Sequence, residues 1–216
     1  MNELIGLLWQ ATLETVYMVA VATVVSAVGG LGGGMLLVAT ANGKVLRSPV
    51  LHRILAAIVN IGRSIPFIIL MVAVVPFTRL IVGTSIGTDA AIVPLILGAI
   101  PYTARLVESA LLEVDRGVIE AVVTMGATPW QVVKKAYLPE AVPALLRAFT
   151  IMVITLISYS AMAGAIGGGG LGDLAIRYGY QRFRPDVTLS TVVVLVLMVQ
   201  AVQLTGDRLS RFFDRR

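Results

Sequence analysis

Cysteine is absent from this chain of 216 residues, and histidine occurs once, at His52. The first absence removes disulfides, thiolate metal sites and cysteine nucleophiles, and the second leaves a poor start for an imidazole metal site. Charge is scarce too: Asp, Glu, Lys and Arg together make 13% of the residues, against about 25% in a soluble domain. Hydrophobic residues reach 57%, and mean hydropathy is +0.91. This is the composition of an all-α integral membrane protein, long enough for about five spans with short loops and without room for a soluble catalytic domain. The net charge of +5 does not point to nucleic acid, because most of the basic residues flank apolar blocks, where lipid headgroups account for them. The N-terminus lacks a basic segment and its first apolar stretch is long for a signal sequence, so no cleavable signal peptide is expected.

Five apolar blocks predict spans over 13–42, 54–76, 90–110, 143–166 and 187–207, within one transmembrane domain covering 1–216. No charged residue lies between Thr15 and Gly43. Within that stretch Gly29/Gly33 and Gly30/Gly34 are GxxxG pairs, which let a second helix backbone approach closely. The partner helix is either that of a second copy or one of the same chain. Lys44, Arg47, His52 and Arg53 form a basic loop. The second block is interrupted by Asn60, Arg63 and Ser64 before Pro66. An arginine at the centre of a span costs about 2.5–3.5 kcal/mol on insertion scales, so Arg63 is expected near the cytoplasmic end, snorkelling or paired with a carboxylate. A place in a substrate path is the alternative. Phe77 to Asp89 reads as a loop, and the third block carries Pro94 and Pro101, as cavity-lining spans often do.

The fourth block is the most polar of the five, with Thr150, Thr155, Ser158, Tyr159, Ser160 and Met162. Polar residues in a span face the bundle interior, which makes Ser158, Ser160 and Met162 candidates for a translocation path. The glycines at 164, 167–170 and 172 resemble a phosphate cradle only superficially, since no Lys-Ser/Thr follows the last of them. They predict a flexible or tightly packed turn. Asp173 to Asp186 reads as a polar loop, and Asp207 to Arg216 as a basic tail with Phe212 and Phe213 at the membrane surface.

The longest stretch that is not membrane-like is 114–140. Val118, Ile119, Val122 and Met125 recur at helical spacing, and Gly126 is a natural left-handed stop. Thr128 can cap a second helix, with Pro129 at its first position and Gln131 completing a capping box. Two short helices joined by an elbow suit helix-in-groove docking on a partner, or packing on the parent bundle. Glu120-Ala121, Gly126 six residues after the Glu, and Leu138-Pro139 resemble the "EAA" cytoplasmic loop of bacterial ABC importer permeases. Val122 stands where that pattern has a second alanine.

Longer strings, including Asn60-Ile61-Gly62-Arg63-Ser64-Ile65-Pro66, Pro76-Phe77-Thr78-Arg79 and Gly169-Gly170-Leu171-Gly172, resemble methionine-uptake ABC permeases over nearly the whole chain. The resemblance implies a type I importer permease fold and a homodimer. It also implies a pair of cytoplasmic ATPases holding ATP and Mg, and an extracytoplasmic methionine-binding lipoprotein. No cofactor is expected in this chain itself. Glu120, Ala121, Val122, Met125, Gly126 and Ala127 would then form the coupling helix and its elbow. With that loop inside, the cytoplasmic side carries all of the 17 Lys and Arg except Arg79, Arg177, Arg182 and Arg184. The positive-inside rule then puts the N-terminus outside and the C-terminus inside the bacterial cytoplasmic membrane. An ion-coupled transporter is disfavoured because the apolar cores lack Asp and Glu, and a membrane enzyme because convergent catalytic groups are missing.

Overall fold

In a computed structural model the fold is described for residues 2–41 and 48–214. Lys44, Arg47, Arg215 and Arg216, which count toward the charge asymmetry, lie outside them, as does Gly43. The helices are α1 (Asn2–Thr40), α2 (Pro49–Ser64), α3 (Phe67–Ala73), α4 (Val75–Val82), α5 (Thr88–Leu112), α6 (Arg116–Thr124), α7 (Pro129–Val132), α8 (Leu138–Gly164), α9 (Gly170–Leu174) and α10 (Pro185–Phe213). Wider π-helical turns at Val133–Tyr137 and Ala175–Tyr180 lead into α8 and out of α9. Four of these segments are long and apolar enough to cross a membrane, and the α2–α3 pair makes a fifth if it counts as one span.

That pair occupies most of the second span expected over 54–76, but as a bent helix pair. Its two halves meet at 98°. The physical reason is Pro66, which supplies no N–H and drives the preceding residue out of helical conformation; Ile65 is extended at φ −82°, ψ 121°. Residues expected as loops are also helical. The chain from Phe77 continues in α4 until Gly83 stops it at φ +82°, and α9 with its π-helical turn occupies part of 173–186. The first helix starts at Asn2, well before 13, because Leu4, Leu7 and Leu8 pack on Ala11, Leu171, Leu174 and Val187.

The core is built by α1, α5 and α8. Met18, Leu95, Met152 and Leu156 are fully buried between them. A second cluster, around Val38, Val107, Leu111, Val132 and Tyr137, carries the packing to the end of the bundle where α6 and α7 project. The GxxxG glycines face α5 of the same chain rather than presenting a seam to a second copy. A Cβ on Gly34 would lie 2.5 Å from Val107 Cγ1 and 2.7 Å from the Ala104 carbonyl oxygen, and one on Gly30 would collide with Thr103. Leucine at position 34 is therefore expected to lower the melting temperature of the detergent-solubilised protein sharply, overpacking typically costing about 1–3 kcal/mol. Gly32 is the matched control, because a Cβ there meets nothing within 4 Å. Equal melting of the two variants would contradict this packing.

The glycine-rich turn is tightly packed. The Gly170 amide donates to Glu14 Oε2 at 2.8 Å and the Leu171 amide to Thr15 Oγ1 at 2.9 Å, so side chains of α1 satisfy the start of α9. Behind it Gly172 lies so close to the Ala161 carbonyl that no side chain fits. At the other end, the Ser210 hydroxyl donates to the Pro143 carbonyl at 3.1 Å and accepts from Arg147 at 3.2 Å, tying α10 to α8.

Candidate functional site: an exposed helical knob and an intramembrane groove

The knob is α6 and α7 with the elbow between them. Asp115 caps α6 by accepting from the Gly117 amide at 2.7 Å. Gly126 is left-handed at φ +79°, the conformation that ends a helix at low cost only for glycine. The second helix opens with a reciprocal capping box. The Thr128 amide donates to Gln131 Oε1 at 2.8 Å, and the Gln131 amide to Thr128 Oγ1 at 3.4 Å. Short-range chemistry alone thus fixes the shape of the elbow.

The apolar stripe expected on α6 divides into two. Ile119, Val122 and Ala127 are half-buried against the Val114–Val132–Tyr137 cluster of the parent bundle. Glu120, Ala121, Met125 and Gly126 are exposed, and Val118 is more exposed than buried residues of its type. Met125 is 77% exposed and Trp130 67%. Val123 joins them on the outer surface. Trp130 and Val123 are additions that periodicity did not single out; an aromatic directly after the capping proline was the available signal. Among the described residues Glu120 makes no ion pair, so its carboxylate is presented outward. The knob therefore anchors through one face and offers methionine, tryptophan and a carboxylate on the other.

The groove lies between α2, α3, α8 and α10 and encloses about 1100 Å³. Ser158 and Met162, one helical turn apart on α8, line it together with Phe67, Val199 and Gln200. Ser160 does not. It is 2% exposed, and its hydroxyl donates to the Ile157 carbonyl within its own helix. Two residues along a helix is a rotation of about 200°, so Ser158 and Ser160 cannot share a face.

The ring of Phe67 stacks on that of Tyr159, centroids 4.1 Å apart and planes within 4°, pinning the start of α3 to α8. Arg63 also borders the groove. It follows Gly62, which packs on Pro101 of α5. Farther along α5, Glu108 is buried and paired with Arg105, so the third expected span, 90–110, does contain a carboxylate.

This arrangement has close counterparts. Residues 30–216 match the family described as binding-protein-dependent transport system inner membrane component. The chain belongs to that family. It is a permease subunit of an ABC importer, a transport component of the inner membrane. The permease is 55% identical over 210 residues to a probable D-methionine transport system permease protein of Vibrio cholerae, covering 97% of this chain and 93% of the relative. A methionine import system permease protein of Bacillus subtilis is 44% identical over 209 residues, covering 97% and 94%. A solved inward-facing conformation of a methionine ABC transporter contains a chain 50% identical to the permease, which superposes with a TM-score of 0.97 over 100% of both.

Proposed function

We propose that this permease forms the translocation path of a methionine importer, for the D- or L-isomer or both, and transmits to that path the conformational change of a separate ATPase. The reading is carried by the superposition over the full length of both chains, at 50% identity, on a chain of a methionine ABC transporter. Two copies of the permease enclose the path around a two-fold axis, and a pair of cytoplasmic ATPase subunits supplies ATP and Mg chemistry. An extracytoplasmic binding lipoprotein delivers the amino acid. The N-terminus is outside, the C-terminus inside, and lipid covers the remaining apolar surface.

In this reading the knob is the input. Met125, Trp130 and Val123 enter a cleft on the ATPase while Ile119 and Val122 hold α6 to the bundle, so motion of the cleft is passed to α8. The capped, two-helix construction suits this role because a rigid lever transmits displacement without absorbing it. The groove containing Ser158 and Met162 is the output. Its polarity is low, which suits a thioether side chain, and a flexible methionine can adapt to the passing ligand.

Proteoliposomes containing the permease, its ATPase and its binding protein should accumulate methionine only when ATP is supplied on the ATPase side. Challenge with a panel of amino acids decides the substrate. Preferential uptake of another small amino acid would replace methionine in this reading, and uptake without the ATPase would overturn it.

A further inference from the structure

We propose that Arg63 is the carboxylate-recognising residue of the translocation path, holding the α-carboxylate of the amino acid at the break between α2 and α3. This rests on the importer reading and names the residue that would give the path its preference for an anion-bearing substrate. The first observation is position. Arg63 lies in the last turn of α2, immediately before the 98° break, and a Cβ on adjacent Gly62 would lie 2.9 Å from Pro101 Cγ of α5. An ionisable side chain within a span is costly and is retained where it serves a ligand or a pathway.

The second observation is that Arg63 forms no ion pair among the described residues. The ion pairs among the described residues use Arg105, Arg147, Arg177 and Arg184, and no Asp or Glu borders the groove. The third is its setting. Arg63 stands where the large groove meets a side chamber of about 200 Å³, behind the Phe67–Tyr159 stack. Ser64, Ser158, Tyr159 and Gln200 are the other residues with polar side chains on the groove wall, and the rest are apolar. A guanidinium offers paired donors matched to the two oxygens of a carboxylate. Beside it, Met162 and the ring of Phe67 would accept an uncharged side chain. One cation, a few hydroxyl or amide groups and an apolar wall fit an amino acid with a neutral, hydrophobic side chain.

The test is the number of methionine molecules moved per ATP hydrolysed, measured in proteoliposomes with the ATPase and binding protein. For Arg63→Gln this ratio is expected to fall about tenfold, the loss of one charge-assisted interaction, and Arg63→Lys should recover part of it. A purely structural role would lower uptake and hydrolysis together and leave the ratio unchanged, which would overturn the proposal. So would an unchanged uptake by Arg63→Gln. An anionic lipid headgroup is the other source of the same chemistry. If it were the ligand, the difference between wild type and variant would appear in phosphatidylglycerol vesicles and vanish in phosphatidylcholine, again overturning the proposal; a carboxylate ligand gives the same ratio in both. Failure of the wild type itself to move methionine would instead strike the importer reading.

Discussion

Truncating Trp130 to alanine is expected to weaken association with the ATPase by about 2 kcal/mol, roughly thirtyfold in Kd, because buried aromatic anchors carry most of the energy of such interfaces. The residue is 67% exposed in the isolated permease, and Met125 of the same knob is 77% exposed. Neither supports the parent bundle, so their removal should leave the fold and insertion intact. Gly126→Val acts differently. A β-branched residue at φ +79° is strongly disfavoured, and the left-handed conformation costs about 1–2 kcal/mol for a residue with a Cβ. It should therefore misdirect Trp130 relative to α6 and reduce hydrolysis stimulated by the loaded binding protein. Glu120→Lys, which inverts an exposed charge that forms no ion pair among the described residues, should add to the loss. Pull-down of the ATPase together with stimulated hydrolysis checks all three. Full association and stimulation by these variants would return the knob to a packing element of the bundle.

Met162→Trp is expected to abolish methionine uptake while the permease still assembles with its ATPase. Met162 is 48% exposed to the groove, and an indole there would project a rigid ring toward Phe67 across the proposed path. The matched substitution Ser160→Ala should leave uptake near normal. Its hydroxyl is buried and satisfied within α8, and the Ile157 carbonyl it serves can keep its own helical hydrogen bond. Normal uptake by Met162→Trp, or loss of uptake by Ser160→Ala, would move the path away from this face of α8.

Local chemistry was the part of this molecule most readable in the sequence. The capping box of Thr128 and Gln131 and the stop at Gly126 depend on neighbours a few residues away, so residue types and spacing specify them. The interruption before Pro66 was legible, but a break of 98° was not, because the angle depends on where Phe67 finds a surface: against Gly98 and the ring of Tyr159. The GxxxG pairs announced a close helix approach without naming the partner, which is α5 of the same chain. Ser158 and Ser160 differ in helical phase, so Ser158 lines the groove while Ser160 is buried.

The outward direction of Trp130 could not be read at all. Which face of a short helix is spare is decided by the packing of Ile119 and Val122 on the cluster that includes Val38, Val107, Val132 and Tyr137, a tertiary contact that helical periodicity within 118–130 does not specify.

The absence of native cysteine makes the central claim directly measurable. A single cysteine at position 125, introduced as Met125→Cys, can be crosslinked in inverted membrane vesicles to cysteines engineered around the cleft of the ATPase. A second variant, Phe183→Cys, at a residue 89% exposed, is the control on the opposite side. The account predicts that Met125→Cys crosslinks to the ATPase, and that its yield changes between the nucleotide-free and ATP-bound states. Phe183→Cys should give no such product and should react with a membrane-impermeant thiol reagent only from the outside. Crosslinking from position 183, or none from position 125 with the complex otherwise intact, would contradict it.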